Sequence, residues 1–149
     1  MQENDGEVLL KFSRVCCKLN FITRKSFNLT AGEFQCLISL YIDKPGCVRE
    51  LSEIMGTRGT TTSKILNSLE KKFIIERQLD QHDKRIEKTF LTPAGEEFAR
   101  RVVSFYKNKF LSISRFADSR QLGSFIDFLN QLSLEAGRSP ELQSDLFLI

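Results

Sequence analysis

Val8, Phe12, Val15, Leu19 and Ile22 recur at spacings of three and four, the period of one face of an α-helix. The spacing predicts an amphipathic helix ending near Phe27 and Asn28, with an apolar face that needs a partner. Thr30 opens the next element: a hydroxyl cap followed by Glu33 is the signature of a capping box, and Phe34, Leu37, Ile38 and Tyr41 supply the apolar face behind it. The stretch "DKPG" stops that helix. Val48, Leu51 and Ile54 predict a short third helix, and Gly56 stands where such a helix would terminate.

The stretch that follows, "GTRGTTTSKILNSLEKK", has a helical second half and a first half poor in helix formers. Thr is stiff against the preceding turn, Ser competes for its own backbone, and Gly costs about 1 kcal/mol relative to Ala. At roughly 100° per residue, Thr62, Ile65, Leu66 and Leu69 fall on one side. Thr60, Lys64, Asn67 and Lys71 fall on the other, with Gly59, Thr61 and Ser63 on or near its flanks. Helix, Gly-containing turn, helix is the outline of a helix-turn-helix.

Beyond it the period changes. In "FIIERQLDQHDKRIEKTFLT", Ile75, Arg77 and Leu79, then Ile86, Lys88 and Phe90, alternate around a polar tip, which predicts a hairpin. Thr92 as cap and Pro93 at the first helical position restart a helix, with Phe98, Val102 and Phe105 on one side and Val103, Tyr106 and Phe110 on an adjacent one. A last helix is expected from about Ser119 to Ala136, carrying Leu122, Phe125, Ile126, Leu129 and Leu132. The tail from Gly137 has no clear period, although its apolar end, Leu146 to Ile149, is expected to dock.

Composition narrows the class. The 149 residues are 41% hydrophobic and 28% charged with three prolines, which suits a folded chain rather than a disordered one. No apolar run is long enough to span a bilayer, and the start "MQENDGEV" is unlike a signal peptide, so a cytoplasmic location is expected. A net charge of +3 permits nucleic-acid binding without requiring it. Cys16, Cys17, Cys36 and Cys47 form no CxxC pair and there is one histidine, so neither a metal site nor a cofactor is expected. The thiols are read as reduced and structural, with redox sensing as the alternative. An enzyme is not expected either: no nucleophile stands with a base, and no phosphate loop is present.

The segments "LSEIMG", "LEKKFIIER", "DKR" and "LTPAGEEF", in this order, make the chain similar to the MarR family of transcription regulators from about Val8 to Ala136. The resemblance implies a mainly α fold with a small β-hairpin wing. A single domain would span 1–149. Its winged helix-turn-helix core would cover about 30–91, flanked by dimerisation helices over about 8–28 and 92–137 and a tail over 138–149. It implies a sequence-specific double-stranded DNA-binding transcriptional regulator, a repressor, working as a homodimer on a pseudo-palindromic site and released by a small aromatic or anionic ligand. Arg58, Gly59, Thr60, Thr61, Ser63, Lys64 and Asn67 would then meet DNA from the recognition helix. Lys84 would meet phosphate from the wing, and Arg85 would enter the minor groove with Asp83 orienting it. Arg58 stands where the family usually has a small capping residue, and Thr62 where it usually has an apolar one. Two other readings of the same residues remain: hydroxyls that merely cap or solvate a helix start, and a winged helix used for protein contacts.

Overall fold

The computed structural model describes residues 5–136, so the expectation for the tail lies outside the described residues. The chain falls into two compact units that divide between Lys109 and Phe110. The first holds α1 (Asp5–Ser26), α2 (Ala31–Ile42), α3 (Val48–Met55), α4 (Gly59–Lys71), β1 (Ile75–Leu79), β2 (Glu87–Leu91) and most of α5 (Pro93–Ile113). The second holds the end of α5 and α6 (Ser119–Ala136). Among the described residues, no helix is long and apolar enough to cross a membrane.

The core of the first unit joins Leu37 and Leu40 of α2, Leu51 and Met55 of α3, Leu66 and Leu69 of α4, Ile75 of β1, and Ala99 and Val102 of α5. Phe27, just beyond α1, sits edge-on to Phe98 and Phe105 with ring centroids 5.6 and 5.5 Å away, which seats the end of α1 on α5. The capping box of α2 is formed: Glu33 N–H donates to Thr30 Oγ1 at 3.2 Å, and Thr30 N–H donates to Glu33 Oε2 at 2.9 Å. The Glu33 carboxylate does more than cap. It is buried, and its other oxygen accepts from Ser68 Oγ and Lys72 Nζ, both at 2.7 Å, which ties the start of α2 to the end of α4.

The hairpin pairs antiparallel with Ile75 opposite Leu91, Arg77 opposite Thr89 and Leu79 opposite Glu87. This register assigns the two faces of the second strand, which the alternation in the sequence left open. Thr89 and Leu91 share the inner face with Ile75, whereas Ile86, Lys88 and Phe90 fall on the other face, and Phe90 remains exposed. A one-residue change of parity swaps faces, and apolar residues on both faces of β2 leave that parity open in the sequence.

The hairpin is locked to the start of α5. Thr92 N–H donates to Ile74 O at 3.0 Å, and Thr92 Oγ1 donates to Phe73 O at 2.8 Å while accepting from Gly95 N–H at 2.9 Å. Gly95 lies so close that a Cβ there would stand 1.9 Å from Ile74 O, a backbone atom with no room to yield. Gly95→Ala is therefore expected to lower stability by about 1–3 kcal/mol, although Ala is the better helix former elsewhere. Urea denaturation reads this as a lower midpoint, and a raised midpoint would contradict the contact.

In the second unit, Phe110 stacks on Phe125 with centroids 6.2 Å apart. Asp118 and Gln121 exchange backbone-to-side-chain hydrogen bonds of 3.0 and 2.8 Å, a reciprocal cap on α6. No described residue of α6 is buried, and Ile126, Phe128, Leu132 and Leu134 are all exposed. The apolar stripe of α1 is similar: Leu19 is buried, but Val8, Phe12, Val15 and Ile22 are open.

Candidate nucleic-acid interface

Gly56 ends α3 in the left-handed conformation, φ 59° and ψ 39°, which a glycine adopts without the Cβ penalty of other residues. Three hydroxyls hold the turn that follows. Thr62 Oγ1 is fully buried; it accepts from Ser52 Oγ at 2.8 Å, shares a 2.9 Å hydrogen bond with Thr57 Oγ1, and lies 3.3 Å from Arg58 O. This explains a threonine at a position facing the core. Its hydroxyl joins α3, the turn and α4, and its burial costs little because the group is satisfied.

Arg58 is the N-cap of α4, with extended backbone and no side-chain cap bond. The first-turn N–H groups of Thr61 and Thr62 are used on Arg58 O, at 2.9 and 3.0 Å. Neither Thr57 nor Thr60 caps the helix, so the capping explanation for the hydroxyl-rich start does not hold. A Cβ on Gly59 would meet nothing within 4 Å, so internal packing does not demand glycine there either.

Thr60, Thr61, Ser63, Lys64, Asn67 and Lys71 are exposed on one side of α4, while Thr62, Leu66 and Leu69 are buried on the other. Six of the seven candidates on this helix and its cap thus share an open face or its flanks with Lys71. The seventh, Arg58, is exposed at the helix entrance. None of Arg58, Lys64, Lys71, Lys84 and Arg85 has an ion-pair partner among the described residues.

Arg77 and Lys88, the cations that flank Lys84 and Arg85 on the two strands, are otherwise engaged. Arg77 is only 21% exposed and its guanidinium meets Asn67, Glu70 and Glu87. Hydrogen bonding to Glu70 raises its pKa, and the same bond lowers that of Glu70. Lys88 pairs with Asp80. Asp80, which sequence reasoning passed over, organises the wing tip: its Oδ1 accepts from the N–H groups of His82 at 2.8 Å and Asp83 at 3.0 Å. The hydrogen bond from Lys88, and then those from the Asp83 and His82 backbone, hold its carboxyl down to about 2. An Asp that bonds the backbone two residues on is an Asx turn, and the run "DQHD" carried that cue. Asp83 Oδ1 accepts from the Arg85 N–H at 3.0 Å, so it shapes the Arg85 backbone and leaves the exposed guanidinium clear of it.

A cavity of about 760 Å³ opens between α1, α2 and α5. Phe34, Ile38 and Val102 give it an apolar wall, and its polar groups include Arg24, Gln35 and Tyr106. A second opening of about 850 Å³ beside β2 is lined by Lys44 and by Lys88 and Arg100, the last two already paired with Asp80 and Glu97. The thiols divide. Burial, and next the charge of Glu33, push Cys36 up to about 12, and burial also raises Cys16, so neither is poised as a thiolate. Among the described residues no cluster of His, Cys, Asp and Glu is arranged to hold a metal.

The profile of the MarR family matches residues 29–86, the segment from the start of α2 to the wing. An uncharacterised HTH-type transcriptional regulator, YybA, from Bacillus subtilis (strain 168) is 29% identical over 86 residues. That match covers 57% of this chain and 57% of the relative, little more than half the length of each. Among solved structures, a MarR family protein from Bacillus stearothermophilus is similar over 92% of this chain and 99% of its own, with TM-score 0.76 and 20% identity. A putative MarR family transcriptional regulator from Listeria monocytogenes, in complex with a 26mer DNA, matches 86% of this chain and 87% of its own with TM-score 0.69 and 18% identity. At such identities the structural likenesses speak to the fold.

Proposed function

The chain belongs to the MarR family of winged-helix regulators, and on that premise we propose that it binds double-stranded DNA sequence-specifically, as a homodimer, and represses transcription from the bound site. The observation that carries this reading is the set of uncommitted cations, Arg58, Lys64, Lys71, Lys84 and Arg85, running from the hydroxyl-rich start of α4 to the wing. Every cation that the fold itself needs nearby, Lys72, Arg77 and Lys88, is already paired. In this reading α4 enters the major groove, with Thr60, Thr61, Ser63 and the Gly59 backbone against phosphate and Lys64 and Asn67 toward base edges. The wing lies over the adjacent minor groove, where Arg85 senses groove width and Lys84 meets phosphate. A DNA-bound relative of the same fold supports it, whereas a winged helix built for protein contacts would show an acidic or apolar face instead.

The exposed stripes of α1 and α6 are the surfaces that a second copy would cover. The cavity between α1, α2 and α5 has the size and the mix of apolar wall and Arg24 suited to a small aromatic anion that would release the DNA. Selection from random duplexes with the full chain tests the main claim. It should return a pseudo-palindrome whose half-sites are about one helical turn apart. Enrichment of single half-sites only would remove the dimer, and no enrichment would remove specific binding altogether.

A further inference from the structure

Asn67 lies on the exposed side of α4, one turn beyond Lys64. Its Oδ1 accepts a 2.8 Å hydrogen bond from Arg77 Nη2, and Arg77 is held in place by Glu70 and Glu87. A guanidinium carries donors and no acceptor, so the amide atom that faces it is the oxygen. The NH₂ group is left turned away as the free end of the side chain. We infer that Arg77 makes Asn67 a donor-only reader of the major groove, which favours guanine over adenine at one position of each half-site. The inference rests on the DNA-binding reading above and adds the chemistry of one contact to it.

An unrestrained Asn recognises adenine with two bonds, its oxygen accepting from N6 and its NH₂ donating to N7. Here the oxygen is committed to a charged donor, and swinging it toward a base would break that bond and loosen the link between α4 and the wing strands. The charge of Arg77 also polarises the amide, which strengthens its NH₂ as a donor. Guanine offers two acceptors to such a group, N7 and O6. Adenine offers N7 beside an N6 amine, where NH₂ would meet another donor, and cytosine offers a donor alone. Arg77 does not read the base itself, being mostly buried between strand and helix. It acts as a positioning residue that sets what Asn67 can recognise.

The test is selection from random duplexes with the full chain, Asn67→Asp and Arg77→Met, followed by anisotropy on single-base variants of the selected site. Asp keeps an oxygen for Arg77 but has no NH₂. The wild type should prefer guanine over adenine by about tenfold at one position, Asn67→Asp should flatten that preference, and Arg77→Met should move it toward adenine. If Arg77→Met does not fold, 7-deazaguanine at that position decides: it should weaken the wild type and leave Asn67→Asp unchanged. Adenine preferred by the wild type there, or a preference that survives Asn67→Asp, overturns the inference with DNA binding intact. Failure of the wild type to enrich any sequence overturns the DNA-binding reading and this inference together.

Discussion

Glu33→Ala is expected to destabilise the protein by about 3 kcal/mol, the largest stability loss of any single substitution considered. The carboxylate is 3% exposed and accepts from Lys72, Ser68 and the Thr30 backbone, and hydrogen bonds to a charged group contribute about 1.5–3 kcal/mol each, though not additively. Lys72 keeps partial access to water, so its charge is not stranded and the cost stays below that of breaking a fully buried pair. The pKa leads to a similar figure. Burial alone would raise it, but the hydrogen bonds from Lys72, Thr30 and Ser68 outweigh burial and bring it from 4.5 to about 2. A depressed carboxylate pKa stabilises the folded state above the unfolded value, and here the contribution is at most ~3 kcal/mol. It is lost as pH falls from about 4.5 through about 2. Urea denaturation of the wild type and of Glu33→Gln should therefore show a gap at pH 7 that narrows steadily once the pH falls to about 4.5 and below. A gap independent of pH would mean that shape, not charge, holds this junction.

DNA affinity should fall by about 10³- to 10⁵-fold between 50 and 200 mM salt. The chain offers five uncommitted cations around α4 and the wing. If a dimer engages roughly 6–10 phosphates with them, the logarithm of affinity should follow the logarithm of salt with a slope of about −5 to −9. Anisotropy on the selected duplex measures this slope directly. A slope shallower than about −2 would mean that these side chains do not face the DNA backbone.

The elements written into neighbouring residues could be read from the sequence, and those set by distant partners could not. The helix order, the Thr30–Glu33 box and the Gly56 stop depend on contacts within a turn or two, and all appear in the fold. The open side of α4 was equally legible, because helical periodicity separates Lys64 and Asn67 from Leu66 and Leu69. Arg77 and Asp80 were not. Both are charged residues in a charged hairpin, and only the pairing of β1 with β2 and the approach of α4 show that they serve the fold while Lys84 and Arg85 remain open. Thr62 looked like a departure from pattern because its partners, Ser52 and Thr57, lie on the far side of a turn.

The close fit of Gly95 under the Ile74 carbonyl, together with the two bonds from Thr92, leaves no slack between the hairpin and the first turns of α5. Arg77 and Glu33 fasten α4 to the same body. If α4 and the wing read DNA as proposed, they do so as a stiff arm rather than a set of fingers. A ligand lodged between α1, α2 and α5 could swing such an arm as a whole, changing the distance between two copies, but could not bend the wing away from α4. Its effect would fall on how tightly a duplex is gripped, equally for every sequence, while the order of preference among bases stayed as it was.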